Sequence, residues 1–367
     1  MSASVYIQPV ATTQSPQMEE GQAIRLGGSL VYASRFAAIV RDRGKVIERH
    51  TFGVRDAMQT LRPLGLDAEQ QFTNLAKQHS PLQLGTRTIR FDQPQIMGVL
   101  NVTPDSFSDG GEFLERPDAG REHAAGMLEA GAAIIDIGGE STRPGGAATW
   151  EGDEKERVLP AVEYCTQMGA AISVDTRRAG VLEAALAAGA HMANDVSAMR
   201  YDDRMTDLVH NSGCPVVLMH APGTGDNLHE GGDYADVVSE VFDFLKTARA
   251  NAIARGIAED KIMLDPGIGF GKTLADNLAL LNALPLFHAL GSPLLLGVSR
   301  KRMIGALSTE EPAHQRLGGS IALATWGMDA GVHMLRVHDV AETVQARNVW
   351  RGLRDAALTD FAQLPAG

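Results

Sequence analysis

Lys301, Arg336 and His338 are the cations that residue spacing brings together most readily in this chain. Arg336 and His338 are two residues apart, so in an extended strand they share a face, while Leu335 and Val337 take the other. Gly297, Ser299 and Lys301 share a parity in the same way. If both sets face one interior, an acidic chain collects cations at one point, which suits a phosphate-bearing substrate. Asp175, Asn194 and Asp265 stand against them. Two carboxylates and an amide in a partly dry pocket can accept hydrogen bonds from the N–H groups of a flat heterocycle. They can equally hold a divalent metal with water. Sequence order leaves both uses open.

The elements that must position these groups are short apolar runs. They are Ile96–Leu100, Ala133–Ile137, Ala171–Val174, His191–Ala193, Pro215–Met219, Lys261–Leu264, Leu294–Val298 and Val332–Val337. Each is followed by polar or glycine-rich residues and then by a helical stretch rich in Ala, Leu and Glu. Continuous apolar strands alternating with helices imply parallel strands buried on both faces. Eight units over roughly 265 residues match a closed α/β cylinder, the (β/α)8 TIM barrel, whose C-terminal strand ends ring one mouth. An open doubly wound sheet would carry a glycine fingerprint after its first strand; here that turn reads Asn101-Val-Thr-Pro-Asp105. Helices are expected over 118–130 and 176–188, each ended by glycine.

Asp265-Pro-Gly-Ile-Gly-Phe-Gly-Lys-Thr273 imitates a nucleotide loop, but position 266 is Pro where that pattern needs Gly. Its glycines are expected to let backbone pass close beside a bound ring. Residues 1–82 read differently, as a small N-terminal extension used for packing or as an interface. It has one hairpin (Phe36–Val40 and Lys45–Phe52 around Asp42-Arg-Gly44) and a short helix near Ala68–Leu75. The barrel domain is placed at 83–360, with Gly85–Phe91 closing its floor.

The 33 Lys and Arg against 45 Asp and Glu give a net charge of −12, which argues against nucleic acid or an anionic membrane as partner. Cys165 and Cys214 are too few for a disulfide framework or a cysteine metal cluster, which favours a reducing, cytoplasmic setting. Neither a signal peptide nor a bilayer-spanning run is visible.

Taken together, the chain resembles the dihydropteroate synthase family of folate biosynthesis, the target of sulfonamides. The resemblance rests on Met97–Gly111, Ile135–Gly145, Ile172–Thr176, Asn194–Val196, Leu218–His220, Asp265–Lys272, Ser299–Lys301 and Arg336–Val340, in the family's order. It implies a transferase that joins 4-aminobenzoate to 6-hydroxymethyl-7,8-dihydropterin diphosphate and releases diphosphate. Asp175, Lys301 and Arg336 would be the catalytic residues. Asp175, Asn194, Asp265 and Lys301 would grip the pterin edge, Arg336 would lie over the ring, and Met219 and Phe270 would wall it. Asn101, Thr142, Arg336 and His338 would take the diphosphate, with Asn101 also offering its carbonyl to Mg2+. Phe107, Asp109, Thr142, Arg143 and Pro144 on the first two loops, with Ser299, would surround the aminobenzoate. The family also implies a homodimer.

The mechanism that follows is loss of diphosphate to a pterin cation, stabilised by Asp175, and then attack by the arylamine. Because the amine is already nucleophilic, no Ser-His-Asp or Cys-His constellation is needed. Two other readings compete. A pterin-domain methyltransferase using methyltetrahydrofolate would share the Asp/Asn/Asp set but would not need the Asn-Val-Thr-Pro-Asp-Ser-Phe loop or the Arg-x-His pair. A non-catalytic pterin-binding paralogue would have lost turnover, yet no matched site residue is missing.

Overall fold

A computed structural model of the chain describes residues 3–13, 21–42, 44–103, 117–141 and 149–358. The N-terminal part contains β1 (Ser4–Thr13), β2 (Ile24–Arg25), β3 (Tyr32–Asp42), β4 (Lys45–Gly53), α1 (Ala57–Leu61) and α2 (Leu66–Leu75). A short hairpin follows, β5 (Leu82–Leu84) and β6 (Arg87–Ile89). The barrel strands are β7 (Gln95–Asn101), β8 (Ile134–Gly138), β9 (Ile172–Asp175), β10 (Met192–Asp195), β11 (Val216–Met219), β12 (Ile262–Asp265), β13 (Leu295–Gly297) and β14 (Met334–Val337). The helices between and after them are α3 (Pro117–Glu129), α4 (Glu151–Gln167), α5 (Ala179–Ala187), α6 (Met205–Ser212), α7 (Val237–Ala254), α8 (Leu274–Asn282), α9 (Arg302–Ala306), α10 (Leu317–Asp329) and α11 (Val340–Leu358).

The barrel strands are parallel, in the order β12-β11-β10-β9-β8-β7-β14-β13, and a parallel bridge from Leu264 to Leu294 closes the ring. The TIM barrel expected from the eight apolar runs is therefore present. Strand parity sets its two layers. Ile135, Ile137, Leu335 and Val337 pack outward in the core shared with the helices, whereas Met97, Ile134, Met192, Val217, Met263, Leu295 and Met334 fill the lower interior. The β5–β6 hairpin plugs the floor with Leu82, Leu84, Ile89 and Phe91. Every polar strand end is thereby left to the opposite rim.

The expected N-terminal hairpin forms as β3 against β4, with Asp42 opposite Lys45. β1 pairs with β3 on the other side, and its outer edge would otherwise be open. Gln71 of α2 covers it: Ile7 N–H donates to Oε1 (3.0 Å) and Nε2 donates to the Val5 carbonyl (2.8 Å). This sheet shares one continuous apolar core with the barrel. Phe36 packs against Phe52 and Phe72, Tyr6 against Phe242, and Phe242 against Phe287 of the segment before β13.

The expected helix over 176–188 begins three residues late, at Ala179. Thr176 Oγ1 accepts from Arg178 N–H (3.2 Å) in a turn, which frees Arg177 and Arg178 to reach Glu140 (2.9 Å each).

Candidate active site

β8, β9, β10, β12 and β14 each point a polar side chain inward near the C-terminal end. Arg336 lies at the centre: its Nε–H donates to Asp136 Oδ2 (2.7 Å) and an Nη2–H donates to Asp175 Oδ2 (2.8 Å). A planar guanidinium is suited to holding two acids at once. Asn194 Nδ2 donates to the same Asp136 oxygen (3.1 Å). Asp136 is fully buried, and its Oδ1 has no hydrogen-bond partner among the described residues.

Asp265 ends β12. Its Oδ1 accepts from Gly267 N–H (2.7 Å). Phe270 follows in the same loop, and the Lys301 ammonium sits over its ring, 4.4 Å from the centroid. Gly267 must be glycine: at φ +69° an added Cβ would lie 1.9 Å from the His220 carbonyl oxygen. This glycine packs closely against the end of β11, and with Gly269 it also lines the cavity at the barrel mouth. Ser299 Oγ meets His338 Nδ1 (3.1 Å) and accepts from His338 N–H (3.2 Å).

Burial dominates the ionisation of these groups. It pushes Asp175 upward, against the Arg336 guanidinium and with help from the like charge of Asp136. It raises Asp265 as well, opposed by the Gly267 N–H and Lys301. Lys301 is drawn down to about 8 by burial, with Asp265 resisting. Burial also works against the charge of Arg336, but Asp136 and Asp175 more than restore it. His338 falls to about 3 through burial and the neighbouring Arg336 and Arg300, and is a neutral imidazole at pH 7.

Asn101, Asp175, Asn194, Met219, Asp265, Phe270, Ser299, Lys301, Arg336 and His338 all line one cavity of about 940 Å³ at the barrel mouth. Phe107, Asp109, Thr142, Arg143 and Pro144 lie outside the described residues. Arg336 is engaged with two acids, and Asn194 donates through its amide, which leaves its oxygen as an acceptor. Asp136 lies near the close of its apolar run, among the polar strand ends, but no particular site role was expected of it. Its signal was present: it interrupts Ile-Ile-Asp-Ile at the inward parity of Ile134. Among the described residues no three His, Cys, Asp or Glu side chains group as a metal-ion site.

A parallel barrel whose mouth sets buried carboxylates and an amide against a lysine and an arginine is suited to gripping a polar heterocycle. The family model that matches, described as pterin binding enzyme, covers residues 97–338. The chain belongs to the dihydropteroate synthase family. It is 43% identical over 273 residues to a dihydropteroate synthase of Neisseria meningitidis serogroup C, covering 74% of this chain and 96% of the relative. It is also similar to a Xanthomonas albilineans dihydropteroate synthase solved with 4-aminobenzoic acid, at TM-score 0.70 and 43% identity, covering 78% of this chain and 100% of that one. A Burkholderia cenocepacia dihydropteroate synthase complexed with 7,8-dihydropteroate matches at TM-score 0.68 and 38% identity, covering 76% and 98%.

Proposed function

We propose that this chain condenses 6-hydroxymethyl-7,8-dihydropterin diphosphate with 4-aminobenzoate to give 7,8-dihydropteroate and diphosphate. The observation that carries this reading is the convergence of Asp175, Asn194, Asp265, Lys301 and Arg336 on one cavity. The 4-aminobenzoic acid and 7,8-dihydropteroate bound by the two relatives support the same substrates here.

The second oxygens of Asp175 and Asp265 and the carbonyl oxygen of Asn194 are acceptors for the pterin N–H groups. Lys301 donates to the ring's acceptor side, and Phe270 and Met219 exclude water from it. Cleavage of the bond from methylene carbon to oxygen sends its electron pair onto diphosphate. Arg336 and the Nε2 side of the His338 ring receive that charge as it develops. The buried carboxylate of Asp175 lies where the positive charge spreads into the ring. The nitrogen of 4-aminobenzoate then bonds to the methylene carbon and loses one proton to solvent.

Mg2+ fits this site as an ion carried mainly by substrate phosphate oxygens, since Asn101 supplies one neutral oxygen and such sites use few protein ligands. When bound, it neutralises diphosphate charge. The homodimer and the cytoplasmic setting belong to the same proposal. Exposed Leu317 and Trp326 on α10, with Val349 and Leu353 on α11, support a self-association face. Two buried free cysteines suit a reducing compartment, and among the described residues no helix is long and apolar enough to cross a membrane.

The test is diphosphate release by purified protein with both substrates and Mg2+. The proposal expects release that depends on 4-aminobenzoate. Pterin binding without release would leave a non-catalytic binder.

A further inference from the structure

The loop that imitates a nucleotide-binding motif is held by its own lysine. Lys272 Nζ lies 2.9 Å from His220 Nδ1, 2.8 Å from the Gly267 carbonyl oxygen and 3.1 Å from the Phe270 carbonyl oxygen. The His220 carbonyl oxygen lies further off at 3.4 Å, so the three N–H donors of the ammonium are fully engaged. The side chain therefore curls back under the backbone that carries Phe270 and does not extend toward a substrate phosphate.

The acceptor is itself fixed. The His220 ring is buried edge-on to Phe244 (4.8 Å) and beside Tyr234 (5.9 Å), and its backbone N–H donates to the Asp265 carbonyl. The rest of the loop is pinned from outside. Gly269 N–H donates to Asn277 Oδ1 (2.6 Å), and Gly271 N–H donates to His229 Nδ1 (3.2 Å). The His229 ring stacks on Phe270 at 5.2 Å and 11°. Phe270 is thus held between His229 and the Lys301 ammonium, above a backbone tied from below by Lys272.

We propose that Lys272 is a positioning residue. It fixes the Asp265–Thr273 loop so that the Phe270 wall and the Asp265 carboxylate are presented together to the pterin. The inference rests on the proposed function in assigning this wall to the pterin, and it adds a residue that does not touch the reacting atoms. A group acting this way affects binding of one substrate and not the other.

The experiment compares wild type, K272M and H220F by calorimetric binding of 6-hydroxymethyl-7,8-dihydropterin diphosphate and by steady-state kinetics, with folding checked by thermal melting. K272M is expected to raise the pterin Kd about tenfold while the KM for 4-aminobenzoate stays within about twofold. H220F removes one acceptor, leaves the carbonyls, and is expected to shift the pterin Kd in the same direction by less. Unchanged pterin affinity in folded K272M overturns the inference, as does an equal rise in both constants. Should K272M not fold, H220F with unchanged pterin affinity overturns it. Wild type that binds pterin but makes no product contradicts the proposed function alone, because the Kd comparison still stands.

Discussion

The barrel mouth and the junction between the N-terminal sheet and the barrel both bury polar groups, and these groups find different partners: backbone at the junction, charged side chains at the mouth. At the junction each buried histidine reaches backbone. His333 Nε2–H donates to the Gly27 carbonyl (2.8 Å), and its Nδ1 accepts from Leu294 N–H (2.9 Å), which fixes the tautomer. His288 Nε2–H donates to the Ala330 carbonyl (2.9 Å). Both rings are held neutral by burial, His288 at about 4 and His333 well below its ordinary value. The mouth instead gathers three acids and two cations around one cavity; Asp136 Oδ1 there and His288 Nδ1 at the junction each have no hydrogen-bond partner among the described residues. The mouth carries electrostatic tension that a substrate can relieve, which is where proteins commonly give up stability for activity.

Substitutions can separate the two regions. Phe36 is fully buried against Phe52 and Phe72, so F36A should cost about 3–5 kcal/mol of stability, read by denaturant unfolding, with kcat per folded molecule unchanged. Loss of kcat in the folded fraction would mean that the junction shapes the mouth. D175N keeps shape and removes charge. It should lower kcat by about a hundredfold, with a lower melting temperature because Arg336 loses one of its two buried carboxylate partners. Unchanged turnover in a folded D175N would end its role beside the cation.

Two smaller effects concern pH. Lys301, at about 8, loses its proton as pH rises through that value, so pterin affinity should weaken by about tenfold per unit above pH 8. K301R should bind pterin without this alkaline fall, because a guanidinium stays charged. At the junction the folded value of His288 lies below its unfolded one, so the unfolded chain binds more protons between about pH 6.5 and 4. Stability is full above that window and falls as pH is lowered into it, by about 1–2 kcal/mol for this residue at pH 5. Thermal melts at pH 7 and pH 5 check the sign, and a higher melting temperature at pH 5 would contradict it.

The barrel was legible because strands buried on both faces give unbroken apolar runs, and each predicted run lies within two residues of an observed strand. Parity alone placed Arg336 and His338 on the inner face. Asp136 was given no site role because a single polar group at a strand end can equally serve a cap or turn; its inward parity with Ile134 shows once the interior layer is assigned. Arg336's partners were hidden for a related reason: Asp136 and Asp175 are 200 and 161 residues away, and only ring closure brings them together. The same holds for the junction. Nothing local to His333 shows that its partner is Gly27, 306 residues earlier. The start of α5 was misplaced because Thr176 reads as a cap, whereas the two arginines after it are needed at Glu140.

A crystal structure of the chain with 6-hydroxymethyl-7,8-dihydropterin diphosphate puts the shared mouth to the hardest test. The ring should lie among Asp175, Asn194, Asp265 and Lys301 at hydrogen-bond distance, with Phe270 against its face and the diphosphate beside Arg336 and His338. A ligand seated elsewhere, or bound while Asp175, Asp265 and Lys301 face away from it, would contradict the account.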